Sequence, residues 1–345
     1  MLATFLNMIS KLFKQPMSKD KIAFKIMLDW LCSDNVIQAR DGHVISWFNP
    51  THPGYAYPEA AGLLLSLLVA HDLGKSIQKS IVLGLTDDAS KTTGLGKEDR
   101  EYLFDTSIVL SALLAYVKTG ELLPEPELPN RLFQFITYLL SEKRATNDEA
   151  IKQSERWSLG YNCHMLKVVI CLAAYYEQYS DPKCIDLIED IIHDFLPLYQ
   201  DGYFYTDSQS SNIYIHANCY AVEGLICLQQ KGFKDFSMTI SKCAEWLATI
   251  QQADGGIPSW YDEQNTIFTS HADTTAQAVR IWSFVDRGLF QAEISFALDF
   301  LKRLQSPEGG LYYCSESKDI NTWATIFAVQ AIQWATEDCI NSSII

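Results

Sequence analysis

Asp254-Gly255-Gly256-Ile257-Pro258-Ser259-Trp260-Tyr261 is the stretch whose reading decides the fold, because the chain repeats its phrase. Asp201-Gly202 runs into Tyr203-Phe204-Tyr205, and Glu308-Gly309-Gly310 into Tyr312-Tyr313, at intervals of roughly 53 residues. Each phrase leads into a long helical pattern that opens on a small polar cluster. Such a period fits a helical hairpin with a long loop at one end. One hairpin cannot bury its apolar face alone, so repeated hairpins stack into a closed ring or an open solenoid. In either arrangement the loops gather on one rim.

The rest of the chain agrees with an all-α protein. Its 345 residues, 48% of them hydrophobic, support a large core. Apolar periodicity predicts helices over residues 21–32, 56–70, 78–85, 105–116, 130–140, 159–179 and 184–194. It continues over 217–229, 236–251, 273–284, 292–304 and 322–334. Tyr57-Pro58-Glu59 is a favourable start, with proline in the first turn and a carboxylate near the positive end of the helix. Residues 86–97 read as a polar connection, and Thr92-Thr93-Gly94-Leu95-Gly96 lacks the context of a phosphate-binding loop, so no cofactor is expected. His43-Val44-Ile45-Ser46-Trp47 reads as a loop or a small hairpin.

A formal charge of -15 disfavours nucleic acid and anionic membrane surfaces as main partners. Nine cysteines contain no CxxC pair and sit in helical or apolar stretches, which predicts buried reduced thiols rather than disulfides or metal. Leu2, Phe5, Leu6 and Met8, broken by Lys11 and Lys14, make a weakly amphipathic start without the pattern of a signal peptide. No uninterrupted apolar run reaches about twenty residues, so stable membrane insertion is not expected and the cytoplasm is the default compartment. The expected organisation is an N-terminal extension over residues 1–19 and one domain over 20–345, with the oligomeric state left open.

Several loop-to-helix junctions share chemistry as well as spacing. Ile215-His216-Ala217-Asn218-Cys219 matches Ser270-His271-Ala272-Asp273-Thr274 one hairpin later, and Leu103-Phe104-Asp105-Thr106 and Ile320-Asn321-Thr322-Trp323 are degenerate versions. In a ring, these helix starts point into the central cavity from one end. They would set His216, His271, Asp105 and Asp273 around a common polar basin. Helix capping is the structural alternative for Asp105, Asn218 and Asp273. Glu223 sits among Cys219, Ala221, Val222, Leu225 and Ile226, where a carboxylate must face a cavity or be paired. No compact set of metal ligands accompanies the histidines.

Tyr57-Pro58-Glu59-Ala60-Ala61-Gly62, Leu103-Phe104-Asp105-Thr106, the run from His216 to Gly224 and the run from His271 to Gln277 resemble the six-hairpin α/α-toroid carbohydrate-active superfamily. That superfamily contains helical glycoside hydrolases, polysaccharide lyases and sugar epimerases. The resemblance implies an α/α toroid with a glycan site at its rim. It also implies a glycan or lipid-linked oligosaccharide as partner, and most simply hydrolysis in bacterial envelope or exopolysaccharide metabolism. The candidate catalytic residues are then Asp105, Asp273, Glu59, Glu223, His216 and His271. Tyr57, Trp260, Tyr261, Tyr312, Trp323 and Arg280 are the candidate substrate contacts. A sugar- or peptide-binding scaffold without catalysis, and a lyase or epimerase using His or Tyr as a base, are the alternatives.

The run from Gln251 to Trp260 also looks like the glutamine-to-tryptophan repeat of triterpene cyclases, with Gln305-Ser306-Pro307-Glu308-Gly309-Gly310 as a weaker copy. In that family such segments clamp adjacent helices. The acidic motifs of terpenoid chemistry are missing, so a clamping role is expected here too.

Overall fold

The computed structural model describes residues 19–97, 99–148, 157–208, 212–262, 269–336 and 344. The expected N-terminal extension therefore lies outside the described residues, apart from Lys19. Twelve α-helices occur among them: α1 Lys19–Leu31, α2 Pro58–Ala70, α3 Lys75–Lys91, α4 Leu103–Lys118, α5 Leu128–Ser141 and α6 Val169–Tyr179. They continue as α7 Lys183–Phe195, α8 Ile215–Gln230, α9 Ser237–Thr249, α10 Ala272–Asp286, α11 Gln291–Arg303 and α12 Thr322–Thr336.

Even-numbered helices form an inner ring, each packed on the next: α2 on α4, α4 on α6, α6 on α8, α8 on α10, α10 on α12, and α12 back on α2. The odd-numbered helices lie outside them. This closed arrangement is the α/α toroid. Closure joins the first and last described helices, since α1 packs on α12 and strand Trp47–Phe48 pairs antiparallel with Ile320–Asn321.

Sequence explains which helices go inside. Of the 16 residues of α8, 14 are buried, whereas α9 buries four of 13, so one helix is apolar all round and the other is amphipathic. Inner packing is close enough to need glycine at one crossing. A Cβ on Gly224 of α8 would stand 2.1 Å from the Leu166 carbonyl oxygen. That crossing coincides with a break in the helix expected over 159–179, which starts as a 3₁₀ segment, Cys163–Val168, before α6.

A second departure concerns the connection expected over 86–97. Helix α3 runs on to Lys91, because Thr86 and Asp87 to Lys91 lie on an outer helix that keeps a solvent face, with a Lys91–Asp87 ion pair and Ala89 buried beneath. Leu95–Lys97 then pairs with Arg100–Tyr102 in a hairpin. His43-Val44-Ile45-Ser46-Trp47 forms isolated bridges, Ile37 with Val44 and Ile45 with Ala56, before the strand at Trp47.

One device fastens the rim to the ring at four places. The fourth residue of an inner helix accepts a backbone N–H from the preceding rim segment. Thr106 Oγ1 accepts from Leu95 (2.8 Å), Asn218 Oδ1 from Phe204 (2.7 Å), Thr275 Oγ1 from Ile257 (2.8 Å) and Thr325 Oγ1 from Leu311 (2.9 Å). Asn218 is thus a loop clamp. Gln251 is another, its Nε2 donating to the carbonyls of Gly255 and, on α11, Glu293. Gln305 repeats the first of these contacts with Gly309.

Gly224→Ala should destabilise the protein by roughly 2–3 kcal/mol, since the clash is with backbone that cannot rotate away. Urea unfolding of the variant beside the wild type measures this; an unchanged midpoint would show that the crossing of α8 over Leu166 has slack.

Candidate active site

The N-terminal ends of the inner helices surround a cavity of about 310 Å³. Its lining follows a sixfold rule. The second residue of each inner helical segment faces it: Glu59, Phe104, His164, His216, Asp273 and Trp323. Asp105, Tyr57 and Lys97 complete one side, and Trp47, Trp157 and Tyr313 belong to the aromatic wall.

Asp105 is 3% exposed and its Oδ2 has no hydrogen-bond partner. Burial, with the charge of Glu59 next, raises its carboxyl well above the usual range, and Lys97 offsets this only in part. Burial therefore favours the protonated form of Asp105. Glu59 beside it accepts hydrogen bonds on both oxygens, from the Tyr57 hydroxyl on Oε2 and from Tyr220 on Oε1 at 2.9 Å. Lys97 Nζ donates to the Tyr57 hydroxyl at 3.1 Å and lies 4.4 Å from the centre of that ring. Burial, then Asp105 and Glu59, holds the Tyr57 phenol well above its ordinary value, so it stays a donor.

Across the cavity stand Asp273 and His216. Asp273 Oδ1 accepts the Thr274 N–H at 2.8 Å, leaving Oδ2 beside His216 Nδ1 at 3.5 Å. His216 Nδ1 also meets Gln277 Oε1 at 2.7 Å. Burial and the Asp273 charge push the Tyr313 phenol well above its usual value. The helix-capping alternative meets a mixed answer: α4 and α10 have no side-chain cap, Asp105 makes no capping contact, and Asp273 holds one first-turn N–H.

His164 was not among the sequence candidates, although it precedes His216 by 52 residues, one hairpin period. It is 1% exposed, both ring nitrogens lack partners, and Phe104 and Trp157 pack on it with ring centroids at 5.3 and 5.0 Å. Burial, and then His216, lowers its pKa to about 3. Lys97, from the hairpin after α3, was likewise invisible in sequence, because nothing local marks a lysine that a hairpin carries to the cavity.

Other candidates lie elsewhere. Glu223 and Arg280, two turns or roughly 10 Å further along α8 and α10, are fully buried below the cavity. There Glu223 accepts from Lys167 Nζ at 2.7 Å, from Arg280, and from Gln277 Nε2 at 3.1 Å. It is the paired carboxylate of the two options the sequence left, and Arg280 is its partner rather than a lining residue. His271 stands just before the start of α10 against Tyr313, ring centroids 4.5 Å apart, and burial lowers its pKa. Trp260 packs on Tyr214, Tyr261 on Trp246, and Tyr312 lies in a rim strand; none lines the cavity.

No family model and no curated protein matches the sequence. Solved structures do. An α-amylase from Clostridium perfringens aligns at 13% identity over 93% of this chain and 99% of its own, with a TM-score of 0.69. Cellobiose 2-epimerase from Bacillus thermoamylovorans aligns at 13% identity over 90% and 98%, with a TM-score of 0.69. An inactive variant of an α-1,6-mannanase from Salegentibacter sp., in complex with α-1,6-mannotriose, aligns at 10% identity over 91% and 98%, with a TM-score of 0.62. At such identities the likeness establishes the fold alone, the α/α toroid.

The lowered pKa of His164 has a consequence in acid. Between its unfolded value near 6.5 and about 3, the unfolded chain takes up a proton that the folded chain refuses. Its contribution is whole above pH 6.5 and is lost as pH falls towards 3. His164→Leu should therefore retain more stability than the wild type on acidification, by on the order of 3–5 kcal/mol between pH 7 and pH 3. Parallel urea melts across that range test it, and identical slopes would refute a proton-refusing His164.

Proposed function

We propose that the protein is a glycan-processing enzyme, and that it hydrolyses a glycosidic bond with Asp105 as proton donor and Asp273 as the second carboxylate. The observation that carries this reading is a buried Asp105 with one oxygen unpartnered at a cavity lined by aromatic rings, where burial favours its protonated form. An unpaired carboxyl is costly to bury, and a scaffold has no use for it.

In this scheme Asp105 protonates the glycosidic oxygen while Asp273 Oδ2, with Oδ1 held by Thr274, activates water or attacks the sugar carbon. Burial first, and the charge of Glu59 next, favour the proton on Asp105, and Tyr57 and Tyr220 hold Glu59 in place. Trp47, Trp157 and Trp323 offer faces for sugar stacking. The cavity stands at the small end of the range for ligand sites, about 300–1,000 Å³, which suits the end unit of a glycan. An α-amylase and an α-1,6-mannanase of the same fold support a glycan as substrate; within that class our reading is an envelope or exopolysaccharide glycan, free or as a lipid-linked oligosaccharide, met in the cytoplasm. Among the described residues no helix is long and apolar enough to cross a membrane, and the cysteines are free.

Epimerisation is the second reading, favoured by one observation: His164 and His216 share the cavity and both pack on Trp157, with ring centroids 5.0 and 5.8 Å from it. A panel of oligosaccharides incubated in D₂O separates the two. Cleaved products without carbon-bound deuterium support hydrolysis, whereas deuterium on carbon in an uncleaved sugar supports epimerisation.

Asp105→Asn and Asp273→Asn should each lower kcat about 10²–10⁴-fold. Asp105→Asn should not cost stability. An acid whose folded pKa is raised loses stability as pH rises from its unfolded value through its folded one, and the amide escapes that loss. The variant should thus match the wild type near pH 4 and exceed it at pH 7 by thermal melting. Full activity in both variants would reject the assignment of these residues.

A further inference from the structure

We infer that the buried Glu223–Gln277 pair fixes the tautomer of His216, with the proton on Nδ1 and the Nε2 lone pair presented to the cavity. His216 is then a hydrogen-bond acceptor for ligand. The argument starts from the ion cluster. Lys167 and Arg280 are fully buried and both donate to Glu223, so that carboxylate is an acceptor only. Burial pulls Lys167 down and Glu223 pulls it up, while the rings of Tyr220 and Phe327 lie 4.3 and 5.3 Å from its ammonium.

Gln277 is 0% exposed and stands between this cluster and His216. The group that meets Glu223 Oε1 at 3.1 Å must be its amide NH₂, because a carbonyl there would face an acceptor. Its Oε1 therefore points the other way, to His216 Nδ1 at 2.7 Å, and must accept. Asp273 Oδ2, the other charged group facing that nitrogen among the described residues, is also an acceptor and stands further off, at 3.5 Å. Both neighbours of Nδ1 thus demand its proton. In the neutral ring Nε2 carries the lone pair, and no group among the described residues hydrogen-bonds it.

Such a nitrogen recognises a donor. The ligand group is an O–H, and its being a sugar hydroxyl rests on the proposed function. Gln277 and Glu223 are positioning residues in this account: they act through His216 without touching the ligand.

Nitrogen-15 spectra of the histidine ring at pH 8.5 read the tautomer directly, with His216→Asn identifying the signals. The wild type should show His216 as the Nδ1–H form. In Gln277→Met, which leaves Glu223 its two cationic partners, that form should give way to a mixture containing Nε2–H. An Nε2–H ring in the wild type overturns the inference without any variant, as does an Nδ1–H ring unchanged in Gln277→Met. The expected spectra together with no cleavage of any glycan would keep the relay and reject the hydrolytic reading, so the two fail separately.

Discussion

A ring of helices that closes on itself leaves its inner members no face for solvent, and the rest of this protein follows from that. Inner helices must be apolar nearly all round, as α8 is, and the outer set is left to meet water. Only at the open end, where helices begin, is there space that neighbouring helices do not fill. The second residue of each inner segment faces that space. Six hairpins thus offer six positions in one circle, and in this chain those positions hold two carboxylates, two histidines and two aromatic rings. Chemistry is concentrated there because closure leaves that end, and not the packed interior, open to a ligand.

Partners are what the deeper polar groups have. Glu223, Lys167, Arg280, Gln277 and Gln330 form a connected set in which Arg280 also donates to Gln330 at 3.0 Å and lies 4.3 Å from the Phe327 ring. A buried ion pair of this kind is weak evidence for stability, since desolvation offsets much of the attraction. Removing one member would instead strand the others. Around the cavity the balance differs. Asp105 Oδ2 and both nitrogens of His164 lack partners, and burial shifts both groups towards the neutral form.

The sequence made the ring legible through its period, because a loop phrase recurring once per hairpin survives any drift in the residues between. Helix starts were legible too, through Pro58, Asp105, His216 and Asp273. Depth was not. Glu223 and Arg280 share faces with His216 and Asp273, seven residues apart on the same helices, and nothing in a helical period says where the cavity ends and the packed interior begins. Trp260, Tyr261 and Tyr312 were attractive for standing beside the right junctions, but strand pairing turns them onto Tyr214, Trp246 and the rim. Lys97 required knowledge of a hairpin that the polar run 86–97 conceals. His164 was within reach had the His216 phrase been projected one period back.

The four clamps from the fourth helical residue to the rim backbone carry an implication for how such a protein changes over time. Each loop is pinned where it enters the ring by a side chain of the ring, Thr106, Asn218, Thr275 or Thr325, acting on main-chain N–H. Main chain is common to every sequence, so the attachment is indifferent to what the loop contains. A loop can lengthen, shorten or be replaced while its anchor and the neighbouring cavity position stay where they are. The ring therefore works as a chassis with standard fittings, on which the walls of the site can be exchanged one hairpin at a time.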